Sequence, residues 1–279
     1  MSGRVLIAGC GDVGLRVAEQ LLARGDQVWA LRRRNAPPES SGIHWLQGDL
    51  TQPGTLRDLP DGITQLVYLP TPDARDPAAY RAVFVDGLRH LLAALDSNTL
   101  ERVLFVSSSA VYGDHGDGWV DEQTPPDPPS FNGKVLLEAE QWLAAQPVLP
   151  IVLRLAGLYG PGRLELIERL RGGAVRVPRE LPHWANRIHV DDAAAAIVHL
   201  LSLPEPMSLY LGVDDTPLPL AVLYDHLARA AGVALPGEGA APAGVGSKRL
   251  SNARLRSSGF VPRWPDAREG YAALLSGVG

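Results

Sequence analysis

Three glycines lie close together near the start of the chain, Gly9, Gly11 and Gly14, between an apolar run and a helical pattern. In this spacing the first glycine permits a tight turn after a strand, the second lets backbone amides approach a pyrophosphate, and the third lets the helix pack close to its strand. The amides at the start of such a helix attract an anion. The segment therefore predicts a dinucleotide-binding loop to which Asp12 and Val13 contribute, and the alternative is a glycine-rich turn that binds nothing.

Arginines follow the next predicted strand, residues 27–31, in the run Arg32, Arg33 and Arg34. About 20 residues beyond the glycine loop, an NAD site usually places a carboxylate against the ribose 2′-hydroxyl, whereas an NADP site places arginine against the 2′-phosphate. The run therefore favours NADP(H) as the cofactor over NAD, with Arg32 and Arg33 as the phosphate contacts. The alternative for this charge run is a solvated loop tip.

Further cofactor positions follow two other predicted strands. The apolar segment 44–46 predicts the third strand, so Asp49 would lie beside the adenine, where it either accepts from the adenine amino group or caps the next turn. Leu50 belongs to the same strand end. Leu69, which ends the next apolar run, and Pro70, which follows it, are predicted to line the same cofactor site.

A parallel sheet is needed to bring these strand ends together. Apolar runs alternate with helical patterns along the first part of the chain, and the runs are continuous, as in strands covered on both faces. The apolar runs lie at 66–69, 103–106 and 151–155, and the helical patterns lie at 78–95 and 133–145. The sequence therefore predicts an α/β fold of the Rossmann type, with a doubly wound parallel sheet.

The pattern changes after residue 155, where a loop rich in proline and glycine precedes an alanine-rich helical pattern at 191–203. We expect this second part to close over the cofactor as a smaller C-terminal α/β lobe that binds substrate. The predicted dinucleotide-binding domain comprises residues 1–155 with 187–204 returning to it, and the predicted lobe comprises 156–186 and 205–279.

Composition and charge exclude several classes of protein. The 279 residues carry 26 basic and 31 acidic side chains, a net charge of −5 that favours neither nucleic acid nor an anionic membrane as a partner. A single cysteine, Cys10, excludes an internal disulfide and fits the reducing cytoplasm, where we expect the protein. No apolar run approaches about 18 residues, and the histidines show no paired ligand spacing, so neither a membrane span nor a metal site is expected.

Six segments distributed along the chain resemble motifs of the extended short-chain dehydrogenase/reductase family, which includes nucleotide-sugar epimerases and dehydratases. They are the glycine loop, 107–113, 121–125, Lys134 with Glu138, 158–162 and 188–193. Their order and spacing are those of the family. Within it, the chain is similar to a subgroup of bacterial proteins usually called atypical members.

The resemblance implies a reaction site. In this family a tyrosine phenol, with its pKa lowered by a nearby lysine, exchanges a proton with the substrate, a serine or threonine steadies the reacting oxygen, and the nicotinamide exchanges hydride. Ser108 falls at the serine position and Lys134 at the lysine position, but Ser130 stands where the tyrosine is expected. An aliphatic hydroxyl is a far weaker acid than a phenol of pKa about 10, so Ser130 cannot simply replace it. Lys134 would still bind the nicotinamide ribose.

Four other residues are candidates for the missing acid or base: Tyr112, Tyr159, His115 and Glu122. Each also has a structural alternative. The tyrosines belong to motifs in which they pack or orient, the histidine lies in a segment typical of an exposed turn, and the glutamate could pair with a nearby base.

A polar set is predicted to bind the substrate, because its charged and amide groups suit the phosphates or hydroxyls of a sugar nucleotide. It consists of Tyr112, Glu122, Asn186, Arg187 and Arg249. The expected function is that of an NADP(H)-binding oxidoreductase or epimerase-like enzyme for a nucleotide sugar or another small molecule with a polar carbonyl or hydroxyl. The alternative is a catalytically silent NADP(H)-binding sensor or regulatory module. The resemblance also implies a homodimer paired through the helices at 78–95 and 133–145.

Overall fold

The computed structural model describes residues 3–33 and 42–277, so Arg34 lies outside the described residues. The chain divides into two units, each built from separate segments. The first combines Met1–Val111, Ser130–Arg154 and Ala194–Tyr210, and the second combines Tyr112–Pro129, Leu155–Ala193 and Leu211–Gly279. Residues 112–129 are part of the predicted dinucleotide-binding domain but belong to the second unit here, and the predicted domain division stays a prediction.

The strands of the described residues include a set of long ones in the first half of the chain and several short pairs. They are β1 Arg4–Ala8, β2 Gln27–Arg32, β3 Ile43–Gln47, β4 Gln65–Tyr68, β5 Arg102–Ser108, β6 Trp119–Val120, β7 Leu149–Leu155, β8 Gly157–Tyr159, β9 Arg176–Val177, β10 Trp184–Ala185, β11 Arg187–His189, β12 Leu209–Gly212, β13 Leu218–Pro219, β14 Gly237–Glu238 and β15 Arg249–Leu250.

The helices alternate with the long strands and continue into the second unit. They are α1 Asp12–Ala23, α2 Pro77–Arg81, α3 Gly87–Ala94, α4 Phe131–Ala144, α5 Glu165–Arg171, α6 Val190–Ser202, α7 Leu220–Ala230, α8 Ala253–Ser257 and α9 Ala267–Leu275. Short 3₁₀ turns occupy Pro53–Thr55 and Ser109–Val111.

Seven strands form one sheet in the order β12-β7-β5-β4-β1-β2-β3. The pairs β1 with β2, β2 with β3, β1 with β4, and β4 with β5 are parallel. The chain builds outward from β1 to β3 and then crosses to β4 on the other side of β1, so the strand order reverses between β1 and β4. Open α/β sheets bind ligands beyond the carboxyl ends of the strands at such a reversal. The predicted α/β fold of the Rossmann type is confirmed.

The central strands are apolar along their length because side chains on both of their faces are buried. Leu6, Ile7, Leu66, Val67 and Leu104 are all fully buried. Burying one such side chain contributes about 1.5–3 kcal/mol relative to leaving it exposed. The continuous apolar runs in the sequence therefore correspond to strands with no solvated face.

The helix expected at 78–95 is interrupted, which corrects the sequence prediction. A π-helical turn occupies Ala82–Asp86 between α2 and α3. The hydroxyl of Tyr68 donates to the carbonyl oxygen of Val83 at 2.5 Å and so gives that carbonyl a partner outside the helix. Inserted partners of this kind disturb the regular hydrogen-bond ladder of an α-helix. Apolar periodicity carries no signal for such a turn.

The second unit has an apolar core of its own. The helix α7 buries Leu220, Leu223 and Leu227, whose spacing of three and four residues places them on one helix face. Tyr159 and Tyr271 belong to the same core, with stacked rings whose centroids are 4.4 Å apart. This core therefore includes residues of both α7 and α9.

Candidate functional site

A cavity of about 340 Å³ lies in the first unit, where the segments that follow β1, β2, β3 and β4 meet. It is lined by Gly9, Cys10, Gly11, Leu31, Arg32, Arg33, Gly48, Asp49, Leu50, Thr51, Pro70, Thr71, Pro72, Asp73 and Val83. The predicted cofactor residues among these are Gly9, Gly11, Arg32, Arg33, Asp49, Leu50 and Pro70. The predicted cofactor residues outside this lining are Asp12, Val13, Gly14, Leu69 and Lys134.

The glycines of the first loop are required for different reasons. Gly9 has a positive φ of 91°, and a Cβ there would lie 2.4 Å from the Cα of Pro70. A Cβ on Gly14 would lie 3.3 Å from the Gly9 carbonyl oxygen, so this glycine lets the helix pack closely. A Cβ on Gly11 would meet only that same oxygen, at 4.0 Å. Packing within the chain therefore explains Gly9 and Gly14, whereas the space above Gly11 is open.

The helix α1 begins directly at this open space. Its N-cap residue is Gly11, which has no side chain to bond the first amides of the helix. Uncapped amides and the positive end of the helix dipole together form a site for an anion. The acidic residue of the first turn, Asp12, is paired with Arg16 at 3.1 Å. The loop thus fits a pyrophosphate approached by backbone alone.

The two described arginines of the charge run are held differently. The guanidinium of Arg32 lies over the ring of Trp45, 5.5 Å from its centroid. Arg33 instead forms a bidentate ion pair with Asp73, in which Nη2 donates to Oδ1 at 2.6 Å and Nη1 donates to Oδ2. Hydrogen bonding to Asp73 raises the pKa of Arg33 above its usual value. Arg32 and Arg33 both line the cavity, and so does Asp73, which was not among the predicted cofactor residues.

Asp49 adopts the capping alternative considered for it. Its Oδ1 accepts from the backbone N–H of Thr51 at 2.9 Å and from the Thr51 hydroxyl at 2.8 Å, which closes the turn after β3. The residue still lines the cavity. Cys10, in the glycine loop, is buried, and burial raises the pKa of its thiol to about 12. A thiol in this state is a small filler and a poor nucleophile.

The predicted reaction residues Ser108, Ser130 and Lys134 all belong to the first unit. Ser108 ends β5, and its Oγ accepts from the N–H of Ala110 at 3.2 Å. Ser130 is the N-cap residue of α4 with extended backbone, and its carbonyl oxygen accepts from the N–H of Lys134 at 3.2 Å. The Lys134 side chain is exposed. The ring of Phe131, next to Ser130, packs edge-on against the ring of Tyr80.

A buried polar network connects the elements that carry Ser108 and Lys134. The hydroxyl of Ser107 donates to Oε1 of Glu140 at 2.5 Å, and Arg154 donates to the same carboxylate through Nε at 3.1 Å and Nη2 at 2.5 Å. The side chains of the ion pair are only 5% and 7% exposed. The network joins β5, which ends at Ser108, to α4, which carries Lys134. Sequence reasoning missed it, although a lone arginine within the apolar strand β7 was a usable signal.

Two of the predicted substrate residues are held inside the second unit by hydrogen bonds. Tyr112 is 1% exposed, and its hydroxyl donates to the carbonyl oxygen of Asp121 at 3.0 Å. Oε1 of Glu122 accepts from the N–H of Leu211 at 2.9 Å, and its Oε2 lies 3.6 Å from Nε of Arg254. Burial raises the pKa of Glu122 above its usual range. Both side chains thus have structural partners whatever else they contact.

Asn186 likewise connects elements of the second unit. Its Nδ2 donates to the carbonyl oxygen of Lys248 at 3.0 Å, and its Oδ1 accepts from the N–H of Leu250 at 2.9 Å. Arg187 donates through Nη2 to the hydroxyl of Tyr224 at 3.4 Å. Through these two hydrogen bonds of its amide, Asn186 connects the segment preceding β11 to β15 and the residue before it.

Arg249 lies between two aromatic rings. Its guanidinium is 5.1 Å from the ring centroid of Trp119 and 5.0 Å from that of Trp184. Its Nε donates to the carbonyl oxygen of Asp117 at 2.9 Å. Stacking and this hydrogen bond give Arg249 a fixed position on the surface of the second unit.

The remaining tyrosine proposed as an acid or base is deeply buried. Tyr159 is fully buried and lies edge-on to His189, with ring centroids 5.1 Å apart. Burial raises the pKa of its phenol well above the usual value, and nearby Asp214 and Asp192 raise it further. A shift in this direction is the opposite of what a general base needs. The packing alternative is therefore favoured for Tyr159.

Comparison with known proteins shows the family to which this chain belongs. The sequence matches the NAD dependent epimerase/dehydratase family over residues 5–209, which is most of the chain. The chain therefore belongs to this family, and the resemblance inferred from its motifs is confirmed. The protein is thus a member of an NAD-dependent oxidoreductase family.

Individual relatives cover nearly the full length. Protein YeeZ of Escherichia coli (strain K12) is 30% identical over 274 residues, covering 94% of this chain and 97% of YeeZ. A solved structure from Methylobacillus flagellatus, whose description names the NAD-dependent epimerase/dehydratase class, is 42% identical with a TM-score of 0.82 and 99% of each chain covered. The structure of MoeE5 in complex with UDP-glucose and NAD is 26% identical with a TM-score of 0.82, covering 98% of each chain.

Within the described residues there is neither a membrane-spanning helix nor a cluster of metal ligands. No helix in the part of the chain that the structure describes is long and apolar enough to cross a bilayer. Across 3–33 and 42–277, no group of three or more histidine, cysteine or acidic side chains is arranged to hold a metal ion.

Proposed function

We propose that this chain binds a nicotinamide dinucleotide in the cavity beyond β1 to β4 and uses it as an oxidoreductase or epimerase-like enzyme. The observation that carries the proposal is the open approach to Gly11 at the uncapped start of α1, located where the strand order reverses. A pyrophosphate is the group such a loop fits. MoeE5, similar over nearly its whole length, is described in complex with NAD, which supports the same class of cofactor here.

The proposed contacts follow the cavity from one strand end to the next. Amides of the loop from Gly9 to Gly14, including those of Asp12 and Val13, would hold the pyrophosphate. Asp49, Leu50, Leu69 and Pro70 would surround the adenine side, and Lys134 would bind the nicotinamide ribose. Arg32 and Arg33 would face the 2′-phosphate, so we propose NADP(H) as the preferred form.

The chemistry proposed for the chain's own residues lacks a phenol for proton transfer, because position 130 is a serine. When bound, the dinucleotide supplies a site that accepts or donates hydride. The Ser108 hydroxyl would hydrogen-bond the reacting carbonyl or hydroxyl oxygen, and the Lys134 ammonium would favour negative charge nearby. Ser130 would contribute a hydrogen bond and no proton transfer, because its hydroxyl is too weak an acid. The substrate proposed is a nucleotide sugar or another small polar carbonyl or hydroxyl compound.

Binding is tested first, by calorimetric titration with NADPH and NADH. Gly11→Ala should weaken both dinucleotides at least tenfold, because its methyl group would occupy the approach to the amides while meeting no protein atom closer than 4.0 Å. Gly54→Ala is the matched control, since a Cβ there meets nothing within 4 Å and the residue does not line the cavity. Absence of binding by either dinucleotide to the unmodified protein would refute the proposal.

Turnover is tested second, by following absorbance of the reduced nicotinamide with a panel of nucleotide sugars and small carbonyl compounds. A Ser108→Ala variant that keeps its dinucleotide affinity and loses turnover would support the role of Ser108. Unchanged turnover in this variant would remove Ser108 from the mechanism.

One observation favours a second candidate function, a catalytically silent NADP(H) sensor: the serine at position 130 in place of a tyrosine. In that case Ser130→Tyr should leave dinucleotide affinity unchanged, and binding of some partner should depend on NADPH. Turnover that disappears in Ser108→Ala would eliminate the sensor.

Substrate contacts and assembly complete the proposal. We propose that the second part of the chain carries the substrate contacts, with Arg187 and Arg249 supplying charge for an anionic substrate and Tyr112, Glu122 and Asn186 shaping the site. Cytoplasmic location is proposed with it, as is pairing of two copies through the helices predicted at 78–95 and 133–145, which include α3 and α4. Between these helices lies an apolar groove of about 250 Å³ that includes Leu92 and Trp142. Light scattering of Leu92→Glu should show monomers if this groove is the contact.

A further inference from the structure

Asp73 occupies a position in the candidate cofactor cavity that the family motifs do not describe. It follows β4 in the segment 70–73, and it faces Arg33, which follows β2. The bidentate ion pair between them therefore spans two neighbouring strand ends of the cavity wall. Both side chains are partly exposed, 46% for Arg33 and 67% for Asp73.

The ion pair occupies the donors that a 2′-phosphate would need. A guanidinium recognises a carboxylate or a phosphate through the same planar pair of N–H groups. Since Nη1 and Nη2 of Arg33 both donate to Asp73, a phosphate must share or displace that carboxylate. The Asp73 carboxylate and a phosphate bound to Arg33 would also repel each other, because both are negatively charged. Asp73 therefore opposes the phosphate in two ways.

Arg32 is not subject to this competition. Its guanidinium stacks on Trp45 and donates no side-chain hydrogen bond to a residue that the structure describes. A stacked guanidinium keeps its N–H groups at the edge of the plane available. The two arginines are thus unequal, because Arg32 can meet a phosphate directly and Arg33 only after leaving Asp73.

We propose that Asp73 is a specificity-determining residue that reduces the preference of this chain for 2′-phosphorylated over unphosphorylated dinucleotides. The inference rests on the proposed function, since it concerns the same cavity. Asp73 lowers affinity for NADP(H) by holding Arg33 and by its own charge. It leaves affinity for NAD(H) nearly unchanged, because the 2′-hydroxyl carries no charge to repel.

The test compares calorimetric dissociation constants for NADPH and NADH in the unmodified protein and in Asp73→Asn. An exposed ion pair and one like-charge contact are each small effects, so we expect NADPH to bind about fivefold to tenfold more tightly in Asp73→Asn and NADH to change by less than about twofold. The gain for NADPH should shrink at high salt. Asp58→Asn, an exposed acidic residue outside the cavity, is the control for net charge and should change neither constant.

A double variant separates the two effects of Asp73. In Arg33→Met, NADPH binds more weakly, and adding Asp73→Asn should recover less than the gain seen with Arg33 present. Thermal melting shows that each variant is folded. Equal changes for NADPH and NADH, or no change for either, overturn the inference while leaving dinucleotide binding intact. Absence of binding by both dinucleotides to the unmodified protein overturns the proposed function and this inference with it.

Discussion

Removing Arg154 should destabilise the protein far more than removing an exposed arginine. In Arg154→Met the side chain keeps its approximate length and loses its charge, so the Glu140 carboxylate stays buried without its ion-pair partner. Both residues of the pair are at most 7% exposed, which places it among buried ion pairs. Breaking such a pair by removing one partner costs about 3–5 kcal/mol. Ser107 keeps its hydrogen bond to Glu140, so we expect the lower end of this range.

Urea unfolding measures this loss. With a slope of about 3 kcal/mol/M, a loss of about 3 kcal/mol lowers the urea midpoint by about 1 M. Trp142, which lies on α4 near Glu140, allows fluorescence to be followed alongside far-UV circular dichroism. Arg81→Met is the matched control. Arg81 pairs with Glu138, which lies on α4 as Glu140 does, but both side chains of this pair are well exposed. Its midpoint should barely move.

A triple variant tests the physical reason. Replacing Ser107, Glu140 and Arg154 together by Ala, Leu and Met removes the buried carboxylate along with the guanidinium and the hydroxyl that bond to it. Buried ion pairs replaced in this way are often as stable or more stable. We expect the triple variant to recover most of the loss. A midpoint for Arg154→Met equal to that of the Arg81 control, or a triple variant less stable than the single one, would refute the reasoning.

Three further predictions concern single residues. Burial raises the pKa of Asp214 from 3.8 to about 8, so its contribution to stability is fully present below about pH 4 and is lost progressively as pH rises to about 8. The melting temperature of Asp214→Asn should therefore rise relative to that of the unmodified protein from about pH 4 to about pH 8 in calorimetry, and the difference should stay constant above that pH. Gly9→Ala should lower the melting temperature strongly, since its Cβ would lie 2.4 Å from Pro70 and its φ is positive, whereas Gly54→Ala should not. Tyr159→Phe should leave the urea midpoint unchanged or raise it, because the buried Tyr159 hydroxyl has no hydrogen-bond partner among the described residues; a fall of about 1 M contradicts this.

The fold could be predicted largely from local pattern. Continuous apolar runs identified the central strands, and the glycine spacing identified the turn between β1 and α1, because both follow from backbone geometry and burial over a few residues. The π-helical turn at Ala82–Asp86 could not be predicted, since it depends on a hydroxyl from Tyr68 in another element. Boundaries of α4 were close, Phe131–Ala144 against the expected 133–145.

Some residues of the candidate site could also be predicted from the sequence, and others could not. Gly9, Gly11 and the arginines were predictable because loop and strand end are adjacent in sequence. Asp73 was not, since its pairing with Arg33 joins residues 40 positions apart. The roles assigned to the substrate residues stay predictions. The Asn186 amide hydrogen-bonds to backbone atoms of Lys248 and Leu250, and this structural role could not be predicted from its position in the sequence.

The segmentation of the chain has a consequence for synthesis on the ribosome. The seven-stranded sheet is complete only after the last segment of the first unit, Ala194–Tyr210, because the outer strand beside β7, Leu209–Gly212, begins at the end of that segment. Until that stretch leaves the exit tunnel, the nascent sheet presents an unpaired edge that can recruit foreign strands. Fragments ending before residue 209 should therefore aggregate, and neither unit can be released intact by one proteolytic cut.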